Sequence, residues 1–166
     1  MSAPWPYFWP IIGAGLIVGI VAGAIAFRRP RRRHAARAIG LVVAIALAAL
    51  WHGPLGAADH LAGTIERTVR QTLVFYEIPE VSGHLHHAPL TRNVLLSGPA
   101  DDCQRSELVR LIGEVPGVAS ASWTPSRTGV PLIAEGAAVA VLGFLLGLLL
   151  AYLVELRRRY NAQYNW

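Results

Sequence analysis

Residues 13–23 read "GAGLIVGIVAG", an apolar stretch in which glycine recurs at every fourth position as Gly15, Gly19 and Gly23. In a water-soluble helix each interior glycine costs about 1 kcal/mol relative to alanine, so three on one face would be unfavourable. In a bilayer, hydrophobicity does not draw helices together, whereas small residues allow the close backbone approach that does. The stretch therefore predicts a membrane-spanning helix that packs through its glycines.

Three apolar runs account for most of the composition. They extend from Tyr7 to Phe27, from Ala38 to Leu55 and from Pro131 to Val154, with lengths of 21, 18 and 24 residues. A spanning helix needs about 20 mostly apolar residues. The chain is only 15% charged, whereas soluble domains have about 25%. We therefore expect a membrane α-helical protein with three transmembrane helices and a small α+β domain outside the membrane.

The second and third runs carry stripes of small residues like the one in the first run. These stripes consist of Gly40, Ala44 and Ala48 in the second run, and of Gly143, Gly147 and Ala151 in the third. Each stripe predicts a helix face suited to close packing. Two interpretations stay open: the three helices pack on one another, or they dock on helices of another membrane protein.

Arginine supplies all fifteen basic residues, and the formal net charge is +5. Nine of them form two clusters that directly follow apolar runs. The clusters are Arg28, Arg29, Arg31, Arg32, Arg33 and Arg37, and then Arg157, Arg158 and Arg159. Positive charge beside an apolar run is typical of the cytoplasmic ends of membrane helices. We therefore assign the charge to topology, with contact to anionic lipid left open, and expect no nucleic-acid partner.

The positions of the clusters predict the organisation of the chain. Residues 1–55 form an N-terminal tail outside the cytoplasm and two transmembrane helices, joined by an arginine-rich cytoplasmic loop at 28–37. Residues 56–130 form a periplasmic domain, and residues 131–166 form the third transmembrane helix and a cytoplasmic tail. No positive charge precedes the first run, unlike in a typical signal peptide. The expected location is the inner membrane of a bacterium.

The expected domain at 56–130 begins with a helix and two strands. The sequence "HLAGTIERTVRQTLVFY" (60–76) has apolar residues four apart, which indicates an amphipathic helix. Short β-prone segments near 81–87 and 93–97 predict two strands, with a turn around Pro89. The domain is therefore expected to start in the order helix, strand, strand.

A second helix and a third strand are expected to complete the domain. "ADDCQRSELVRLIGEV" (100–115) predicts a helix with Asp101 as its N-cap, and "VASASW" (118–123) alternates as a strand. The motifs "VLLSG", "PADD", "SELVRLIGEV" and "VPGVASASW" in 93–123 resemble a BON domain, and the resemblance extends over about 61–123. It implies an αββαβ fold and a non-catalytic module that binds phospholipid surfaces or proteins in bacterial envelopes.

A few polar residues are candidates for chemistry. In "HLHH", His84 and His86 are expected on one strand face and His87 on the other, with no carboxylate nearby in the sequence. Imidazoles can bind zinc, copper or nickel, but two without a third ligand favour a polar strand. Glu135 lies about one turn inside the third apolar run, and His52 lies at the outer membrane surface. We expect no metal, no cofactor and no enzymatic activity.

The expected function is that of an accessory, scaffold or assembly subunit in a larger bacterial inner-membrane complex. Docking would use the small-residue helix faces and the BON-like domain, with the lipid bilayer and other integral membrane subunits as partners. One alternative is a stand-alone envelope protein that binds phospholipid through its BON-like domain. Another is a proton-handling membrane subunit built around Glu135 and the histidines.

Overall fold

The structure, a computed structural model, describes residues 4–28, 30–125 and 129–164. In chain order its elements are α1 (Trp5–Arg28), a 3-10 turn (Pro30–Arg32), α2 (Arg33–His52), α3 (Ala57–Phe75), β1 (Ser82–His87), β2 (Leu90–Ser97), α4 (Asp102–Gly113), β3 (Ser120–Ser122) and α5 (Leu132–Tyr164). They divide into two compact units. One unit holds α3, α4, the three strands and the first turn of α5, and the other holds α2 and most of α1 and α5.

Helices α1, α2 and α5 are each long and apolar enough to cross a membrane, with mean hydropathies of 2.3, 1.8 and 2.6. Their positions confirm the predicted run of three long apolar helices. Only 33%, 17% and 28% of their apolar windows are buried inside the chain, so most of their surface is exposed isoleucine, leucine and valine. Such a continuous apolar surface is compatible with lipid and is too large for a monomer in water.

The arginine-rich segment is more helical than the sequence predicts. A loop is expected over 28–37, whereas the 3-10 turn and the first residues of α2 occupy most of it. Arg28 ends α1, Arg33 begins α2 and Arg37 lies one turn further on, while Arg29 lies outside the described residues. Proline is favoured at the first position of a helical turn because its N–H is not needed there, and Pro30 occupies that position.

The glycine stripe of α1 faces α5. A Cβ added at Gly15 would lie 2.5 Å from the carbonyl oxygen of Ala140, and one at Gly19 would lie 3.0 Å from the Cα of Gly147. In return, a Cβ at Gly147 would lie 2.8 Å from the backbone nitrogen of Ile20. These separations leave no room for a side chain, so the two helices pack backbone against backbone.

Helix α2 completes this unit through its own small residues. A Cβ at Gly40 would lie 2.7 Å from the Cβ of Ala22 in α1 and 2.9 Å from the ring of Phe144 in α5. Ala22, Ala44 and Phe144 form a buried cluster at this junction. The small residues of all three helices therefore pack within this chain, and Phe144 fills the space that the small side chains leave.

The other unit is a three-stranded sheet with two helices. The strand order is β1-β2-β3. Strand β1 runs antiparallel to β2, and β2 runs parallel to β3. Helix α4 connects the parallel pair, as a parallel connection requires a crossover. The buried face of α3 consists of Ala58, Leu61, Ala62, Ile65, Val69 and Leu73. This face packs on the sheet, where a Cβ at Gly83 would lie 2.7 Å from the side chain of Val69.

Local signals in the sequence set the ends of these elements. The Asp101 carboxylate accepts the Gln104 backbone N–H at 2.7 Å, and the Gln104 side chain accepts the Asp101 N–H at 3.2 Å. This capping box confirms the predicted start of α4. Strand β2 begins at Leu90, directly after Pro89, and is therefore longer than the strand predicted near 93–97. The coarse fold class is confirmed: a mostly helical chain with three long apolar helices and one small sheet.

Candidate functional site

A groove of about 460 Å³ runs between α3 and the edge strand β1. Strand β1 is an edge because, among the described residues, β2 is its only neighbour in the sheet. The wall from α3 comprises Gly63, Glu66, Arg67, Arg70, Leu73 and Val74, and the opposite wall comprises Pro79 and Val81–His84. The helical residues recur at intervals of three and four, so they form one stripe alongside the strand.

Glu66 joins α3 to the exposed edge of β1. Its Oε1 accepts the backbone N–H of Leu85 at 2.9 Å. Alternate residues of an edge strand point their amides away from the sheet, and Leu85 is one of these. An uncovered edge amide invites pairing with another chain. The Glu66 carboxylate covers that amide at this single position.

Two histidines lie at the same carboxylate. His84 Nδ1 is 4.0 Å and His87 Nε2 is 3.4 Å from Glu66 Oε1. The prediction that His87 points away from His84 is wrong, because a β-bulge between Leu85 and His87 interrupts the regular alternation of the strand. His86 instead has its Nδ1 3.1 Å from the Pro89 carbonyl oxygen.

The arrangement around Glu66 suits ion pairing better than metal binding. The side chains of His84 and His87 are 60% and 62% exposed. Within residues 4–28, 30–125 and 129–164, no group of three or more His, Cys, Asp or Glu side chains is placed to hold a metal ion. The carboxylate therefore accepts one amide hydrogen bond and lies beside two exposed imidazoles.

Arg67 and Arg70 give the groove its charge. Both are exposed, and neither forms an ion pair with any residue that the structure describes. Helical spacing would allow Glu66 to pair with Arg70, but Glu66 turns to the strand instead. The groove therefore combines two exposed guanidinium groups with one carboxylate, Glu66, and with the buried side chains of Leu73 and Val81.

An exposed apolar cluster lies at the end of α3, where Val74 is its one member that lines the groove. Val74 lines the groove and is exposed, and Phe75 is 79% exposed. The rings of Phe75 and Tyr76 meet edge to face with their centroids 5.3 Å apart. Aromatic side chains exposed in this way are typical of surfaces that bind other molecules.

Glu135, a candidate for proton handling, is held by an arginine. It lies in the first turn of α5 and forms a two-pronged ion pair with Arg92 of β2, with distances of 2.9 Å and 3.1 Å. Arg92 also donates to the Gly117 carbonyl oxygen at 3.5 Å. The two charged side chains are only 24% and 21% exposed. Bidentate pairs of this kind are among the stronger polar contacts, so Glu135 joins the start of α5 to the sheet.

The remaining candidate residues lie apart from the groove. His52 ends α2. Gly23 faces α5, where an added Cβ would lie 2.6 Å from the Ala151 side chain. Gly143 faces α1, where an added Cβ would lie 2.6 Å from the Ile12 carbonyl oxygen. Ala48 is buried. Along the last turns of α5, Arg159 pairs with Glu155 at 3.0 Å, and Arg157 and Arg158 are exposed.

No protein-family model matches this chain, and neither the curated proteins nor the solved structures contain a match. Function is therefore argued from the geometry and chemistry of the sites themselves.

Proposed function

We propose that this chain is a non-catalytic accessory subunit of a bacterial inner-membrane complex, in which three spanning helices anchor a small α+β domain that binds another protein. The observation that carries the proposal is the surface of α3, which bears two arginines that form no ion pair among the described residues and ends in an exposed aromatic pair. The domain is tethered on both sides, since α2 precedes it and α5 follows it. A doubly tethered binding surface suits a scaffold.

The proposed topology places both arginine clusters in the cytoplasm. Arg28–Arg37 and Arg157–Arg159 then lie inside, while the N-terminus and residues 56–130 lie in the periplasm, in agreement with the preference of arginine for the cytoplasmic side. The exposed guanidinium groups can contact anionic headgroups there.

The polar contacts favour binding over catalysis. Both carboxylate oxygens of Glu135 are committed to Arg92, and Glu66 is committed to the edge of β1. A proton-handling role for Glu135 would require that pair to separate. The geometry supports a structural role for Glu135 and a recognition role for the groove.

The small-residue helix faces pack the three long helices of this chain against one another. Because Gly15, Gly19 and Gly40 contact neighbouring helices of this chain, docking on other subunits would use the opposite, outward faces of the helices. Helix α2 is the least covered span, and it exposes Ile39 and Val42. We propose α2 as the membrane contact for other integral subunits.

Phospholipid binding is the second candidate function. The observation that favours it is the exposed ring of Phe75 on the helix that also carries the exposed Arg67 and Arg70, since aromatic and basic residues together suit a lipid surface. The resemblance of residues 61–123 to a BON domain agrees with either function. Under this alternative the chain would act without protein partners.

Size and partner analysis separates the two functions. We expect the chain, solubilised in mild detergent from its native membrane, to migrate on native electrophoresis with other polypeptides identified by mass spectrometry. The Phe75→Ser variant should lose these polypeptides, whereas Val130→Ser, a change at another exposed apolar residue that lies outside α3, should retain them. A monomer or homodimer that floats with anionic vesicles would contradict the proposed function and support the lipid alternative.

A further inference from the structure

We propose that the groove binds an extended, acidic segment of the partner protein, which adds as a strand to the edge of β1 at Gly83, beside the Leu85 amide that Glu66 covers. This inference rests on the proposed function and narrows it, because it names the class of ligand and the atoms that bind it. Strand addition obtains affinity from main-chain hydrogen bonds at a sheet edge and specificity from alternate side chains.

The first support is the orientation of the β1 backbone. The Leu85 N–H points away from β2, because it donates to Glu66. Outward-facing residues alternate along an antiparallel strand, so Gly83, two residues earlier, also directs its N–H and C=O outward. Gly83 lies in the wall of the groove. A Cβ there would point into the core, 2.7 Å from Val69, so the backbone is the part of Gly83 available to a ligand.

The second support is the length of the helical wall. The stripe runs from Gly63 to Val74, which corresponds to about 16 Å of helix at 1.5 Å per residue. An extended chain of about five residues has the same length at 3.3 Å per residue. The bulge at His86 ends the regular edge of β1, so the added strand is short and centred on Gly83.

The third support is charge. Arg67 and Arg70 line the groove without an ionic partner among the described residues, and arginine forms strong charge-assisted bonds with carboxylates. Leu73 and Val81 also line the groove, but both are buried and offer little surface to a ligand. Because side chains alternate along a strand, every second side chain of the ligand faces the arginine-bearing wall, so the expected ligand has acidic residues at alternate positions.

Gly63 supplies a way to close the groove without disturbing the fold. No atom lies within 4 Å of a Cβ added there, and replacing a helical glycine favours the helix. A leucine at this position would therefore occupy the groove itself. Gly113, in the last turn of α4, has the same open surroundings and does not line the groove, which makes it a matched control.

The test is a selection from a randomised peptide library displayed on phage, with the full chain held in lipid nanodiscs. We expect peptides with acidic residues at alternate positions to be enriched, and to bind Gly63→Leu at least tenfold more weakly than the wild-type chain or Gly113→Leu. N-methylation of alternate amides in a selected peptide should abolish binding, because it removes the main-chain donors. Selection of no acidic extended peptides, equal binding to Gly63→Leu, or tolerance of every N-methylation would overturn the inference.

These outcomes are distinct from those that test the proposed function. If the chain still migrates with native partners while the peptide selection fails, strand addition is wrong and the accessory role stands. If selected peptides bind the groove but the native chain migrates as a monomer, the accessory role is wrong and the groove is a peptide site of a stand-alone protein. If the chain binds only anionic vesicles, and Gly63→Leu does not weaken that binding, both proposals fail in favour of lipid binding.

Discussion

Replacing Gly19 by alanine is expected to weaken the packing of α1 on α5, whereas the same change at Gly13 is not. A Cβ at position 19 would contact the Phe144 carbonyl oxygen and lie 3.0 Å from the Gly147 Cα. Both neighbours are backbone atoms, so relief requires the helices to separate. At Gly13 no atom lies within 4 Å of the added Cβ, so that variant keeps the contact.

The difference between the two variants isolates the cost of the clash. Each substitution gains a similar helix propensity, at most about 1 kcal/mol in water, and this contribution cancels in the comparison. Forcing one extra carbon into a well-packed interface typically costs about 1–3 kcal/mol. We therefore expect Gly19→Ala to be about 1–3 kcal/mol less stable than Gly13→Ala.

The stability can be measured by titrating micelle-bound protein with sodium dodecyl sulfate and following tryptophan fluorescence and helical circular dichroism. Reversibility on dilution is required for a free energy of unfolding. Equal stability of the two variants, or greater stability of Gly19→Ala, would refute backbone-to-backbone packing of α1 and α5.

The two polar contacts of the extramembrane domain lead to further expectations. Glu135→Gln should destabilise the full chain by about 1.5–3 kcal/mol, because it leaves the partly buried Arg92 without its charged acceptor. A double-mutant cycle with Arg92→Gln should show positive coupling, and additive losses of stability would contradict the ion pair. Glu66→Ala should leave the Leu85 amide uncovered and speed its hydrogen exchange by about five- to thirtyfold, the factor for 1–2 kcal/mol; unchanged exchange would contradict the role assigned to Glu66.

The features that the sequence predicted well depend on neighbours along the chain. Apolar runs identify the long helices because a span needs only length and composition. The start of α4 follows from Asp101 and Gln104, which are three residues apart and bond to each other's backbone. These signals are local, so no knowledge of the tertiary structure is needed to read them.

The candidate site depends on contacts between residues far apart in the sequence. Arg92 and Glu135 are 43 residues apart, and Glu66 reaches Leu85 across 19, so no spacing rule brings either pair together. The bulge between Leu85 and His87 changes the strand alternation locally. Regular alternation therefore predicted His84 and His86 on one strand face. The meeting of His84, His87 and Glu66 depends on the bulge and could not be predicted from the sequence.

The proposed topology puts the arginine clusters in the cytoplasm and the small domain on the opposite side of the membrane. Cys103 is the single cysteine of the chain and is exposed on α4, so a membrane-impermeant maleimide applied to spheroplasts reports directly on the domain. We expect Cys103 to be labelled in intact spheroplasts, and an Arg31→Cys variant in a Cys103→Ser background to react only after the membrane is opened. Protection of Cys103 together with labelling at position 31 would contradict the account.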